Sequence, residues 1–370
     1  MMATTPKSKT LNLSKLFGVR GHQAAVERAS KAERADRYTA GTKSKILANT
    51  DVGGEYDAER FLLTTLGGKS RPITHDDIRT FREFSRKLGA RLKGGITAQQ
   101  AINLSRPEDR ERANEEIRIA TVVQAWPAGP KAGTLQFVTN SGPDSDVARH
   151  YVHVRFHERD WAAYVAAPGK RGADTKTLAT DLLKRQIRFE CDCGRFRYWF
   201  RYIATIGGFV HGRPEEGYPD QRNPQLQGVC CKHLLRVMRA MTHDPAVRGR
   251  VSEMLERART QVEVEAPIRV TAKEAKEAAR RQEAEAKRGL VKSRVESTQE
   301  AADRKAAAAR TPAGQKRALD RAAKLAQKRA EMQARDAQLS SAAEKLKSLL
   351  GTVSKQDAKR LLDLLSAQKA

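Results

Sequence analysis

Two short stretches decide how this chain is read: Phe189-Glu190-Cys191-Asp192-Cys193-Gly194 and Val229-Cys230-Cys231-Lys232-His233-Leu234. All four cysteines of the 370-residue chain lie in them. A chain this sparing with cysteine that gathers every copy into one window is using sulfur for chemistry rather than for packing. Cys191-x-Cys193 followed by Cys231-x-His233 supplies three thiolates and an imidazole. That is the tetrahedral donor set Zn²⁺ takes, with no position left open. Four free cysteines in a small apolar core and a pair of disulfides are the alternatives, and the disulfides leave His233 without a role.

The flanking sequence supports the first reading. Gln186–Cys191 has strand character, so Cys191 and Cys193 sit where a strand breaks into a turn and can reach one ion. Cys231 and His233 open an apolar helix carrying Leu234, Leu235, Val237, Met238 and Met241. The unpaired N–H groups and dipole of a helix N-terminus favour a thiolate. Cys230 could replace Cys231 as a ligand, but the Cys-x-His spacing favours Cys231 and leaves Cys230 as a core thiol. Four ligands close the site, which predicts one structural zinc ion and no catalytic residues.

Between the pairs runs Arg195-Phe196-Arg197-Tyr198-Trp199-Phe200-Arg201-Tyr202. Helical spacing puts Phe196, Trp199, Phe200 and Ile203 on one core face and leaves the arginines exposed. Arg195, Arg197 and Arg201 are therefore candidate phosphate contacts. Asn223-Pro224 ahead of Gly228 predicts a turn that delivers the second ligand pair. His211 reads as a solvated loop histidine. His150, His153 and His157 do not share one strand face, and solvated or locally hydrogen-bonded roles fit them.

Upstream, Ile117–Trp126, Thr134–Thr139 and His150–Phe156 predict an antiparallel meander, followed by short helices at Trp161–Val165 and Thr177–Leu183. Thr74 and Asp77 form a capping pair for a helix with Ile78, Phe81, Phe84 and Leu88 on one face, and Thr97–Leu104 is a shorter helix stopped by Pro107. Phe61, Leu62 and Leu66 suggest a helix ending at Gly67-Gly68. Gly68-Lys69-Ser70 is not a phosphate loop, because the motif's first glycine would fall at Leu63. Residues 1–60 form a basic arm with one apolar cluster (Leu11, Leu13, Leu16, Phe17) and a weak helix over 22–38.

Downstream of His243, residues 271–340 are dominated by Ala, Lys, Arg, Glu and Gln, broken at Pro312-Ala313-Gly314. Helix propensity is high, but the apolar face is mostly alanine, which predicts a long solvated or partner-dependent helix. Leu346, Leu349 and Leu350 lead to a stop at Gly351, and Ser354 with Asp357 restarts a helix carrying Leu361, Leu362, Leu364 and Leu365. The leucines predict a helical hairpin able to self-associate.

With 70 Lys+Arg against 44 Asp+Glu the formal net charge is +26, well past what solubility requires. That balance implies a polyanionic partner, most often nucleic acid. There is no apolar run long enough for a membrane span and no secretory signal, and sparse cysteine fits a reducing compartment.

The pattern Cys191-x-Cys193…Cys231-x-His233 resembles the SWIM-type zinc finger. That resemblance implies a small ββα zinc-binding module used to bind DNA or proteins. Residues 110–243 resemble a group of poorly characterised structural proteins of tailed bacteriophages. The likeness rests on the meander, the run Phe189–Tyr202 and Arg222-Asn223-Pro224…Gly228–Leu235. It implies a head-associated virion component, present in the host cytoplasm before assembly.

The expected fold class is α+β: a small antiparallel β-sheet with a SWIM-like zinc-binding ββα module, flanked by helical, partly extended basic N- and C-terminal regions. The expected divisions are an arm at 1–56, a helical segment at 57–109, the meander with the zinc module at 110–243, an Ala/Lys/Arg/Glu-rich region at 244–340 and a hairpin at 341–370. The expected function is a non-enzymatic, zinc-stabilised virion protein contacting DNA or other virion proteins through basic arms. An intracellular DNA-binding accessory factor in replication or regulation is the alternative.

Overall fold

The N-terminal half forms short elements wherever a cap or turn residue licenses them. The computed structural model describes residues 11–17, 28, 31, 46–57, 60–143, 145–167, 173–260, 266–286, 289–310, 312–352, 354, 356, 357, 359 and 360. Helix α1 is Leu13–Phe17 and α2 is Asn49–Gly53. Leu63–Thr64 (β1) and Arg71–Pro72 (β2) make a hairpin where a helix is expected. Gly67 and Gly68 both take φ near +90°, a left-handed pair that turns the chain back instead of ending a helix.

Helix α3, His75–Leu92, starts at the expected Thr74–Asp77 capping box and buries Ile78 and Phe81. After the short strand β3 (Ile96–Thr97), a second capping box of Thr97 and Gln100 opens α4, Ala98–Asn103. Pro107 does more than stop that helix. It occupies the first turn of a further one, α5 (Pro107–Glu116), where its missing N–H costs nothing.

The meander follows as β4 (Ala120–Trp126), β5 (Thr134–Asn140), β6 (Arg149–Phe156) and β7 (Gln186–Cys191). Helices α6 (Glu158–Ala166) and α7 (Ala173–Leu182) lie between β6 and β7. A π-helical segment, Phe196–Phe200, then runs into α8 (Arg201–Ile206), and α9 (Lys232–His243) packs against α4, α5 and the strands β4 to β7.

The region expected to be weakly cored beyond His243 instead completes the core. Helix α10 (Pro245–Thr260) buries Val247, Val251, Met254 and Leu255. Strand β8 (Ile268–Arg269) pairs with the edge of β4, and α11 (Ala272–Glu285) buries Ala275 and Ala279. The finished sheet is six-stranded and antiparallel, in the order β3-β7-β6-β5-β4-β8. The basic arm also contributes: Leu47, Val52 and Tyr56 join the main core, and Leu16 packs with Ile119 and Ala279. The fold is α+β, and its first unit extends to Val295.

The second unit, Glu296–Ala370, holds α12 (Arg294–Arg310) in all but its first two residues, together with the 41-residue α13 (Pro312–Thr352). As expected, the break falls at Pro312. Helix α13 runs through Gly351, where a stop is expected, and Ser354 accepts the Asp357 N–H at 3.0 Å. Every α13 side chain described is exposed. Of the leucines expected in a terminal hairpin, Leu346, Leu349 and Leu350 fall on α13, while Leu361, Leu362, Leu364 and Leu365, with most of the weak helix over 22–38, lie outside the described residues.

Candidate metal centre

Strand β7 alternates Ile187, Phe189 and Cys191 into the core, so its last inward position delivers a thiol. The chain turns at Asp192. The Asp192 carboxylate accepts the Tyr151 N–H at 3.0 Å and contacts His150 Nδ1 at 2.7 Å. Cys193 sits at the mouth of the π segment, where its Sγ accepts the Phe196 N–H at 3.4 Å and its carbonyl accepts the Arg197 N–H at 3.1 Å. Cys231 is the residue ahead of α9, extended at φ −79° and ψ 167°, and its carbonyl takes the first helical bond from Leu235 at 2.9 Å. His233 lies in the first turn.

These four side chains converge. The sulfurs of Cys191, Cys193 and Cys231 and a ring nitrogen of His233 all lie within 4.8 Å of one another, and all four residues are buried. Cys191 Sγ is 3.9 Å from His233 Nδ1. The other ring nitrogen, Nε2, is buried with no hydrogen-bond partner. The His150 ring packs 4.2 Å from the His233 ring, centroid to centroid.

The donor set fits a metal better than it fits an apolar core. Burial pushes the Cys191 and Cys231 thiols well above their ordinary range. Burial opposes the Cys193 thiolate too, but hydrogen bonds from Cys191, Cys231 and His233 outweigh it and hold Cys193 well below. The pocket thus gathers three sulfurs and an incompletely bonded imidazole out of reach of water. A divalent cation satisfies all of them by displacing the remaining protons. Three sulfurs and one nitrogen suit zinc, and four protein ligands leave no site for a reacting water. Zinc bound here would supply folding free energy by fastening β7 to α9. Among the described residues this is the one such group found.

All four cysteines are free. Cys230 stands outside the cluster beside Ser105, where burial pushes its thiol up strongly. With one cysteine facing elsewhere, pairing into two disulfides has no geometric basis, and Cys231 takes the ligand position.

The helical expectation for 195–202 holds, with an added π turn. The three arginines, however, are not an exposed set. Arg195 bonds Asp109 at 2.8 Å and stacks on Trp199 at 3.7 Å. Arg201 pairs with Glu190 at 3.0 Å, and Arg197 and Arg201 are both buried. A π turn accommodates one extra residue, which throws the α-helical phase off and rolls the guanidinium groups toward the sheet and α5.

The ββα arrangement implied by the SWIM likeness differs as well. Between the ligand pairs come the π segment, α8 and a long irregular stretch whose β contacts are two isolated bridges, Phe189 to Val210 and Ala48 to Gly217.

His150 and Asp192 are the neighbours that sequence reasoning left out. His150 is locally hydrogen-bonded, as expected, but its position beside the ligands follows only from strand register. Val152 pairs with Cys191, which sets His150 next to the residue after the strand's end. His153 and His211 face each other at 5.9 Å on a separate patch, and burial lowers His211 to about 4.

No protein-family model, curated protein or solved structure matches this chain. What stands is a buried three-cysteine, one-histidine cluster able to hold a metal ion. No helix among the described residues is long and apolar enough to cross a membrane.

Proposed function

We propose that the chain is a non-enzymatic, zinc-stapled scaffold that carries basic helices to a polyanion, most simply nucleic acid, within a tailed-phage particle. One observation carries the scaffold reading: the four ligand atoms are buried together and drawn from a strand and a helix otherwise joined by a long insert. Such a closed site stiffens a fold and leaves no open coordination position for catalysis. The polyanion reading is supported by the +26 charge and by α13, which carries nine basic against four acidic residues on a solvated rod. At about 1.5 Å per residue the rod is roughly 60 Å long. Its exposed Met332 and Leu339 also suit contact with neighbouring proteins or a second copy. The virion setting rests on the resemblance of residues 110–243 to phage structural proteins.

Because Arg195, Arg197 and Arg201 are engaged by neighbours in the fold, the proposal assigns phosphate contact mainly to exposed cations such as Lys324, Lys328 and Arg335. Neutralising several phosphates makes affinity fall steeply with salt. Binding to duplex DNA that is insensitive to salt, or unchanged after removal of residues 296–370, would refute that assignment. Mass spectrometry of purified particles tests the setting. Stoichiometric copies support the virion, and absence from particles replaces it with an intracellular accessory role.

A further inference from the structure

Away from its metal-binding end, α9 carries Arg236 and Arg239 to a cavity of about 150 Å³ that Arg118, Gln282 and Gly289 also line. Arg236 is buried and its guanidinium is occupied by main-chain carbonyls. Nη1 donates to Gly289 at 2.6 Å, and Nη2 donates to Arg118 and Ala286 at 3.5 Å. Arg239 differs. Its Nε and Nη1 are shut off from solvent and make no hydrogen bond, and it forms no ion pair among the described residues.

Among the described residues no carboxylate at the cavity pairs with Arg236 or Arg239. Asp244 is bonded through both oxygens, to Gln282 Nε2 at 2.7 Å and to the Ala246 N–H at 2.8 Å. Glu285 is exposed at the rim, and Glu283 sits 3.5 Å from Arg118 Nη1. Burial and the neighbouring Arg239 bring Arg236 down to about 10, and burial lowers Arg239 as well. Burying guanidinium groups in mutual repulsion, one of them unpaired, is unfavourable unless an anion completes the site.

We propose that this cavity binds a single phosphate group, with Arg239 reaching it through Nη2 and Arg118 and Arg236 flanking it. The volume admits a phosphate group but falls short of the roughly 300 Å³ from which organic ligand pockets begin. The phosphate is either free or the terminal group of a nucleic-acid strand. The site stands independently of the role proposed for α13.

Calorimetric titration of the zinc-loaded full chain with inorganic phosphate tests the proposal. One saturable site with Kd below about 1 mM is expected. Arg239→Gln should weaken it at least about tenfold, Arg239→Lys should fall between, and Arg79→Gln on the exposed face of α3 should bind as wild type. Helical circular dichroism and zinc content establish that each variant is folded, and if Arg239→Gln is not, Arg239→Lys decides. Absence of saturable binding to the wild-type chain, or wild-type affinity in a folded Arg239 variant, overturns the site. Competition by a 5′-phosphorylated but not a 5′-hydroxyl oligonucleotide assigns the phosphate to a strand end. If phosphate binds and neither competes, free phosphate is the ligand.

Discussion

Removing the metal should weaken this fold without abolishing it, and the structure sets the size of the effect. In an isolated zinc-finger peptide the metal supplies nearly all of the folding free energy, about 10–16 kcal/mol. Here α9 has a second anchor. Leu234, Leu235, Val237, Met238 and Met241 are all essentially inaccessible. At about 1.5–3 kcal/mol for each buried side chain, they supply on the order of 10 kcal/mol of docking that needs no metal. What the metal-free state loses is satisfaction of the ligands. Unmet buried polar groups cost about 1–3 kcal/mol each, more when charged. The three buried sulfurs and the unpartnered His233 ring together account for a total near 3–6 kcal/mol.

For a unit of this size that corresponds to a fall in Tm of about 5–10 °C. Metal content by plasma mass spectrometry, followed by melts of wild type, chelated protein, Cys193→Ser and His233→Ala, makes the measurement. The expected pattern is about one zinc per wild-type chain, loss of zinc in both variants, and retained helical signal at 20 °C (roughly room temperature, near the stability maximum). Cys230→Ser should keep its zinc. Metal-free wild-type protein, or ligand variants melting within about 2 °C of it, would defeat the reasoning.

Three further outcomes follow from the core. Asp220 is buried, its Oδ2 has no partner, and burial raises its carboxyl to about 7. A carboxyl that holds its proton more tightly folded than unfolded destabilises the fold progressively as pH rises from about 4 to about 7, with a ceiling near 4 kcal/mol. Asp220→Asn should therefore gain about 1–3 kcal/mol in urea melts at pH 8 and little at pH 4, and equal gains at both would contradict the assignment. Gly133 has φ +74°, and a β-carbon there would meet the Trp161 ring at 3.0 Å, so Gly133→Ala should cost about 1–3 kcal/mol by chemical denaturation. A chain ending at Val295 should bind zinc and unfold cooperatively, whereas one ending at His243 should be insoluble. The shorter chain strips away Val247, Val251, Met254 and Leu255 and uncovers the core beneath them.

Local chemistry made much of this protein legible from its residues alone. The ligand spacing, the capping pair Thr74–Asp77 and the period-two strands all report themselves within a few positions, because the interactions behind them span only a few positions. The sequence also favoured Cys231 over Cys230, since Cys-x-His is itself a local geometry, and the fold then set Cys230 outside the cluster. Tertiary structure decided what depends on distant partners. Whether Gly67-Gly68 ends a helix or turns a hairpin is settled by pairing with Arg71 and Pro72. Whether the arginines after Cys193 face solvent depends on Asp109 and Glu190 lying within reach. The alanine-rich stretch beyond His243 looked coreless because alanine carries little hydrophobic signal, yet Ala275 and Ala279 let α11 approach the sheet closely. His150 reached the metal centre only through the register of β6 on β7. Residue spacing can announce a ligand, but its neighbours are chosen by the fold, because burial and strand register are sums over the whole chain.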